Sequence, residues 1–497
     1  MPVSEEQIKS KLTAELNPTH LELQDISDGC GAKYKAIIVS EKFDGKPLID
    51  RHRLVNTVLA DEIKQIHAFT MRTITPAEWE KENNTSAPGK IILFGEHSVV
   101  YGKLAIAASI SCRTTAIFSD SEKGVVTLHF PKLRYSRTFE LDVLQRILSE
   151  GLPMKNASDQ AQVNLEMTNL IDIDALINSS QQDIALGVEN IQTESASKRV
   201  ETALHVFFFL FRGILSSTSV ALTPCTIRVQ SQLTLGAGTG SSASFSVSVA
   251  AMLLFFLKQK ICAGSNVSKP DYLAFKFDES LSQFSEKEKD IVNNWAFCAE
   301  RINHGNPSGI DNSICTFGST IEINRESKGA IRFLKNTPEL NLLLINSGAD
   351  RNTSSLVAKV KTLKEKHEMI VGSILDGMQG VAEEAVTTLI KLKELEDNKA
   401  SEEDILKQYS VLEDLFDLNH GLLSALTVSH EKLEHIRAIT AQHGLHTKLT
   451  GAGGGGYAIA LIRPNHPLGT LMECVNQLQA NGYKTDQIFL GGEGESK

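Results

Sequence analysis

A glycine-rich stretch in the middle of the chain restricts the fold more than any other segment. Residues 235–253 read LGAGTGSSASFSVSVAAML, so three alternating glycines precede Ser241 and Ser242. Glycine lets a backbone adopt positive φ and approach a ligand closely. The small and apolar residues that follow predict a helix, whose first N–H groups and positive dipole end would face the loop. The stretch therefore predicts a loop that binds an anion such as phosphate, with a flexible turn before a core helix as the alternative.

Composition places the chain among ordinary globular proteins of several domains. It has 497 residues, 41% of them hydrophobic and 22% charged, and a net charge of −10. That balance provides no general attraction for nucleic acid or an anionic membrane, so neither is expected as a partner. The apolar runs 205–211 and 247–257 are too short to span a bilayer and predict buried helices. Seven scattered cysteines without a CxxC pair, and an N-terminus without an apolar core, favour a soluble protein in the reducing cytoplasm.

The first eighty residues predict a compact α/β module of their own. Apolar spacing and alternation give two helices and three strands, which we place at 4–16 and 51–63 and at 20–26, 34–39 and 69–74. Thr75, Pro76 and Glu78 then form a capping-box pattern that predicts the start of one more short helix.

Two segments of this module, KFDGKPLIDRHRLVN (42–56) and IHAF (66–69), resemble the BolA-like proteins. The resemblance covers most of a first domain at residues 1–82. It implies a KH-like fold, a monothiol glutaredoxin as partner and a shared [2Fe–2S] cluster, with His67 and Cys30 as the ligands. The alternative is a capped or core histidine and an unreactive thiol. A KH-like fold could also bind nucleic acid, but the module lacks the GxxG loop which that binding uses.

Two carboxylates in the large region suit phosphoryl transfer. Glu300 lies near the end of a predicted helix, and Asp311 lies in the constrained loop HGNPSGID (304–311). One carboxylate can hold Mg²⁺ while the other accepts a hydroxyl proton, although two unrelated surface acids are the alternative. There is no Walker A motif, and the glycines of 451–456 lead into a predicted strand rather than a helix, which excludes a dinucleotide fingerprint.

Four motifs in this order resemble the GHMP family of small-molecule kinases and, within it, the mevalonate kinases, over about residues 86–465. They are APGKIILFGEHSVVYGK (87–103), LGAGTGSSASFSV (235–247), HGNPSGIDN (304–312) and TGAGGGG (450–456). The resemblance implies an α+β multidomain chain. In it a ribosomal-S5-like, ATP-binding domain at 85–325 and a ferredoxin-like domain at 326–497 enclose the active site. It also implies ATP-dependent phosphorylation of the primary hydroxyl of mevalonate, Mg²⁺ with the ATP, and a homodimer.

The resemblance assigns a role to each matching residue. Asp311 would be the catalytic base, and Lys90 would steady both the phosphate and Asp311. The remaining assignments are Gly236, Gly238, Gly240, Ser241, Ser242, Gly453 and Gly454 for ATP, Ser242 and Glu300 for Mg²⁺, and Glu96, His97 and Thr353 for mevalonate.

The chain departs from the family pattern at three places. The glycine loop has Leu235 and Thr239 where the family has proline and leucine, and a family lysine is missing before Arg351. In the family a first strand leads into the first motif, but here the polar residues 77–84 precede it. We therefore expect either that half of this strand is missing or that the N-terminal module supplies a substitute for it. Residues 83–86 form a very short linker between the module and the kinase-like region. The chain is therefore either a genuine fusion of two domains or the product of two neighbouring reading frames joined in error. Two functional alternatives also remain open, namely a different substrate such as phosphomevalonate, and an iron–sulfur partner protein with an impaired kinase.

Overall fold

The computed structural model describes residues 5–491 except 26–32, 67, 77, 80–83, 122–123, 154–171, 185–193, 217, 219, 263–282, 306, 325–329, 335–336 and 350–352. Both predicted iron–sulfur residues, Cys30 and His67, lie outside the described residues.

The N-terminal module has its own three-stranded sheet, in which β1 pairs antiparallel with β2 and β2 pairs parallel with β3. Its elements are α1 (Glu5–Leu16), β1 (His20–Asp25), β2 (Lys33–Val39), α2 (Leu48–Val58), α3 (Ala60–Ile63) and β3 (Ala68–Ile74). Ile8, Leu12 and Leu16 are buried on one face of α1, as their four-residue spacing predicts. The capping box is confirmed, because Thr75 N–H donates to Glu78 Oε2 at 3.0 Å and Glu78 N–H donates to Thr75 Oγ1 at 3.1 Å.

The rest of the chain alternates strands and helices. Its first part contains β4 (Asn84–Phe94), β5 (Ala105–Asp120), β6 (Val125–Phe130), β7 (Tyr135–Glu140), α4 (Leu141–Ser149), α5 (Ile173–Asp183), α6 (Glu194–Leu215), β8 (Cys225–Ser231), α7 (Ser241–Cys262), α8 (Glu286–His304), α9 (Ile310–Phe317), β9 (Thr320–Asn324) and β10 (Ala330–Leu334). Its second part contains β11 (Leu340–Asn346), α10 (Thr353–Lys366), α11 (Glu368–Asp397), α12 (Glu402–Ala425), α13 (Glu431–Gln442), β12 (His446–Leu449), β13 (Tyr457–Leu461), α14 (Leu468–Ala480) and β14 (Lys484–Leu490).

One mixed sheet runs through both parts, in the order β12-β13-β11-β14-β5-β8-β6-β7, with β4 and β9 also paired to β5. The two parts meet where Leu490 of β14 pairs with Ile110 of β5. The predicted α+β architecture is confirmed. The predicted division at residue 325 stays a prediction, and β10, which follows it, pairs with β9 from the first part.

Strand β4 is complete, which the sequence did not lead us to expect. It begins at Asn84, which pairs with Ile117, and continues along β5 to Phe94. The expected loss of half of this strand is therefore not observed, since residues 84–88 fill the place themselves. The register shifts at Pro88/Gly89 and again at Ile92/Phe94. Such irregularities re-aim side chains next to functional sites.

Helix α7 forms the centre of the first core. Among the described helices, the segment Ser241–Ile261 alone has the length and hydropathy of a membrane span, and 83% of its most apolar window is buried inside the protein. It packs against β4, α6 and α8. The prediction of a buried core helix at 247–257 is therefore confirmed. The amphipathic stretch 356–395 lies in two helices, α10 and α11, which His367 separates.

We expect Gly213→Ala to destabilise this core. A Cβ at Gly213 would lie 2.1 Å from Trp295 Cζ3, and the Trp295 side chain is fully buried. Overpacking of this kind costs about 1–3 kcal/mol, which outweighs the roughly 0.5–1 kcal/mol that alanine gains over glycine in a helix. Urea unfolding followed by circular dichroism measures the difference.

The matched control is Gly421→Ala in α12, where a new Cβ would meet no atom within 4 Å. It should leave stability unchanged or raise it slightly. Equal stability of the two variants would contradict the packing described around Trp295.

Candidate active site

The glycine loop has the backbone that its sequence predicts. Gly236, Gly238 and Gly240 have φ of +75°, +84° and +69°, a region that other residues rarely adopt. Helix α7 begins directly after them at Ser241, and its first intrahelical bond runs from Ser244 N–H to Gly240 O at 2.9 Å. The preceding N–H groups have no acceptor within the helix, so they are available to an anion.

Strand β4 contacts this loop at backbone distance. Lys90 N–H donates to Thr239 O at 2.9 Å. A Cβ at Gly89 would lie 2.7 Å from that same oxygen, and a Cβ at Gly240 would lie 2.8 Å from Lys90 Cγ. Because neither position tolerates a side chain, the two glycines determine how closely Lys90 approaches the loop.

Lys90 and Asp311, predicted as the catalytic pair, lie together. Lys90 Nζ is 3.0 Å from Asp311 Oδ1, and the two side chains are 11% and 36% exposed. Asp311 lies in the first turn of α9, which begins after Gly309 at φ +79°. The pair therefore combines a largely buried cation with a carboxylate that a ligand can reach.

Glu300 is buried among hydroxyl and amide groups at the end of α8. Glu300 is only 2% exposed. Its carboxylate accepts hydrogen bonds from Ser242 Oγ, Ser246 Oγ and Asn303 Nδ2, each at 3.1 Å. His304 Nε2 lies 3.4 Å from Glu300 Oε2. This hydrogen bond, together with the charges of Glu300 and Asp311, raises the pKa of His304.

The donor set of Ser242 and Glu300 fits Mg²⁺. Both groups offer oxygen, which this hard cation prefers, and it commonly uses one or two protein ligands together with substrate phosphates. In the described part of the chain, no cluster of three or more His, Cys, Asp or Glu side chains could hold a metal by itself. A site of this kind would therefore depend on a bound phosphate for the remaining ligands.

The glycine loop, Ser242 and the Lys90–Asp311 pair line a cavity of about 1090 Å³. Its lining includes Lys90, Asp311, Ser241, Ser242, Thr353, Gly236, Gly238, Gly240, Gly451 and Ala452. The predicted phosphate ligands Gly453 and Gly454 have tight neighbours instead. A Cβ at Gly453 would lie 2.0 Å from Val428 O, and one at Gly454 would lie 2.8 Å from Leu356 Cδ1. Their role in ATP binding stays a prediction.

Glu96 and His97, predicted to contact substrate, connect the first motif to the last. Glu96 is fully buried and accepts hydrogen bonds from Lys448 Nζ and, at 3.0 Å, from Asn419 Nδ2. Burial lowers the pKa of Lys448, and the charge of Glu96 opposes that shift. His97 has φ +59°, and its Nε2 lies 2.8 Å from Ala452 O. Both oxygens of Glu96 are thus already bonded within the protein, and its substrate role stays a prediction.

Three basic residues in the cavity lining were missed from the sequence, namely Lys132, Lys198 and Arg199. The spacing of Lys198, Thr202 and Val206 does place them on one face of a helix, and this signal could have been used. Lys132 follows β6 in a short 3-10 turn, and nothing in its local sequence links it to α6.

Known proteins match both the N-terminal module and the large region that follows it. Residues 12–78 match the family described as BolA-like protein. Mevalonate kinase from Mus musculus is 33% identical over 411 residues, which cover 83% of this chain and 94% of that protein. Mevalonate kinase ERG12 from Gibberella zeae is 35% identical over 416 residues, covering 82% and 76%. The crystal structure of L. major mevalonate kinase in complex with R-mevalonate has the same fold. It has a TM-score of 0.53 and 20% identity, over 83% of this chain and 96% of that one.

We expect Lys448→Met to destabilise the protein by about 3–5 kcal/mol, because it leaves the Glu96 carboxylate buried without its cation. The double variant Glu96→Gln/Lys448→Met removes both charges and should recover most of that loss. Denaturant unfolding of the wild type, the two single variants and the double variant gives the coupling energy. Additive losses would show that the two side chains do not depend on each other.

Proposed function

Because the chain belongs to the mevalonate kinase family, we propose that it transfers the γ-phosphoryl group of ATP to the primary hydroxyl of mevalonate. The observation that carries this proposal is the Lys90–Asp311 pair, at 3.0 Å. It lies in the cavity that the glycine loop and the first turn of α7 also line. The cavity thus offers a carboxylate, a cation and a phosphate-binding backbone to the same ligands.

Asp311 is the proposed proton acceptor. The hydroxyl oxygen attacks the γ-phosphorus while its proton passes to the Asp311 carboxylate, and the bond from the γ-phosphorus to the bridging oxygen breaks to release ADP. Lys90 holds Asp311 and balances negative charge on the transferred group. Since the Asp311 side chain is about one-third exposed, it can return the proton to solvent after transfer.

The glycine loop and the start of α7 are proposed to hold the phosphates of ATP through backbone N–H groups. Ser242 and Glu300 would hold Mg²⁺, which, when bound, neutralises phosphate charge. Ser246 and Asn303 fix the Glu300 carboxylate by hydrogen bonds. Thr353, at the start of α10, lines the cavity and would contact mevalonate. A contact from Glu96 or His97 to mevalonate stays a prediction of the family resemblance.

Asp311→Asn should lower kcat by about a hundredfold or more, because proton transfer by a positioned base contributes at that order. The KM for ATP should change little, since the glycine loop is untouched. Release of ADP with mevalonate, phosphomevalonate and other small alcohols as substrates measures both the effect and the specificity.

The matched control is Asp397→Asn, which removes a carboxylate that pairs with Lys393 at 2.7 Å on the surface of α11. It should leave kcat unchanged. Full activity in Asp311→Asn would overturn the assignment of the base. Turnover of another alcohol in preference to mevalonate would overturn the assignment of the substrate.

For the N-terminal module we infer a second function, which is to bind a monothiol glutaredoxin and share a [2Fe–2S] cluster with it. The match of residues 12–78 to the BolA-like family supports this inference. The proposed ligands are His67 and Cys30, since imidazole and thiolate are both known ligands of iron–sulfur clusters. An iron–sulfur partner protein with an impaired kinase is the alternative, and the kinase assay above separates the two.

The full chain co-expressed with a monothiol glutaredoxin should show visible charge-transfer absorption. His67→Ala should remove or shift these bands, whereas His20→Ala, at another histidine of the module, should keep them. Limited proteolysis of the same samples shows whether the module of each variant is folded. Absence of the bands in the wild-type complex, or identical spectra for the wild type and His67→Ala, would count against the cluster.

We also propose the cytoplasm as the compartment. Five cysteines in the described part of the chain are free thiols, namely Cys112, Cys225, Cys298, Cys315 and Cys474. Free thiols persist where the surroundings are reducing. The homodimer that the family resemblance implies stays a prediction.

A further inference from the structure

One wall of the cavity ends in a group of basic side chains that the proposed chemistry does not use. We call Lys132, Lys198 and Arg199 the cationic rim. All three residues are exposed. Lys198 and Arg199 lie in the second turn of α6, and the same face of the helix continues into the cavity through Thr202 and Val206. Lys132 lies in the Pro131–Leu133 turn that follows β6.

The cationic rim carries the unbalanced charge of the cavity. The described lining contains four Lys and Arg side chains, and Asp311 is its one carboxylate. Asp311 already pairs with Lys90. No described carboxylate lies within ion-pair distance of the rim. By contrast, Arg212 pairs with Asp183, and Lys258 pairs with Glu288.

This local charge differs in sign from that of the whole protein. The chain has a net charge of −10, so its average field repels a polyanion. A cleft lined with one sign of charge between low-dielectric walls concentrates the field and can raise association rates by about 10- to 1000-fold. The apolar walls are present, since Phe130, Val206 and Val229 are buried and line the cavity.

We propose that the cationic rim captures the polyphosphate of a nucleoside triphosphate from solution and guides it to the glycine loop. The proposal rests on the proposed function only in that ATP is the phosphoryl donor. The rim does not contact the reacting atoms, so it sets the rate of nucleotide binding and leaves the chemical step unchanged.

The test uses the full chain with Lys132→Gln, Lys198→Gln and Arg199→Gln combined. Stopped-flow binding of a fluorescent ATP analogue, without mevalonate, measures the association rate constant at several salt concentrations. We expect a loss of about tenfold or more at low ionic strength, which shrinks as salt screens the charges. At saturating ATP, kcat should equal that of the wild type, and the KM for mevalonate should change little.

The control combines Lys391→Gln, Lys432→Gln and Lys484→Gln, three exposed lysines outside the cavity lining, and so makes the same change in net charge. It should bind the nucleotide at nearly the wild-type rate. An equal loss in the control, an unchanged salt dependence in the rim variant, or an effect on the KM for mevalonate alone would overturn the proposal. Because binding is measured without turnover, a wrong alcohol substrate would leave this result unaffected.

Discussion

The backbone contact between β4 and the glycine loop determines where every other group of the site lies. Gly89 and Gly240 let the two segments meet, and the bond from Lys90 N–H to Thr239 O fixes their spacing. Lys90 then reaches Asp311, and the first residues of α7 line the same cavity as this pair. A methyl group at either glycine would force the loop away from the strand. It would thereby change the distances between the Lys90 cation, the Asp311 carboxylate and the proposed phosphate site.

Asp311, Glu300 and Glu96 have different surroundings, and these surroundings suit different tasks. Asp311 has one cationic partner and remains partly exposed, which suits a group that gains and loses a proton. Glu300 is buried and held by three neutral donors, which suits a fixed metal ligand. Glu96 is fully buried against Lys448, which suits a structural role that joins distant parts of the fold.

Local patterns predicted most of the fold, because capping residues, alternation and glycines act over a few positions. The strands predicted at 20–26 and 69–74, and a helix directly after the glycine loop, were found where the sequence placed them. The motifs also brought Lys90, Asp311, Ser242 and Glu300 into one site. Contacts between distant segments were not predictable, because no local pattern pairs Glu96 with Lys448 or places Lys132 beside α6. The strand at Asn84–Ala87 was missed because its residues are polar or small. Thr85 is nevertheless fully buried, and its hydroxyl donates to Ser248 O of α7, a long-range contact that no local pattern predicts.

The sheet that runs through the large region imposes an order on synthesis. The module of residues 5–79 builds its sheet from its own three strands, so it can fold as soon as it leaves the ribosome. The rest must wait. Strand β5 pairs with β14, the last strand in the described part of the chain, and Glu96 pairs with Lys448, which is made 352 residues later. At roughly 5–20 residues per second, Glu96 is without Lys448, and β5 is without its pairing to β14, for on the order of twenty seconds to a minute or more. During that interval the N-terminal module is folded while the large region is still incomplete. This is when the exposed surfaces of the large region most need chaperones to prevent aggregation.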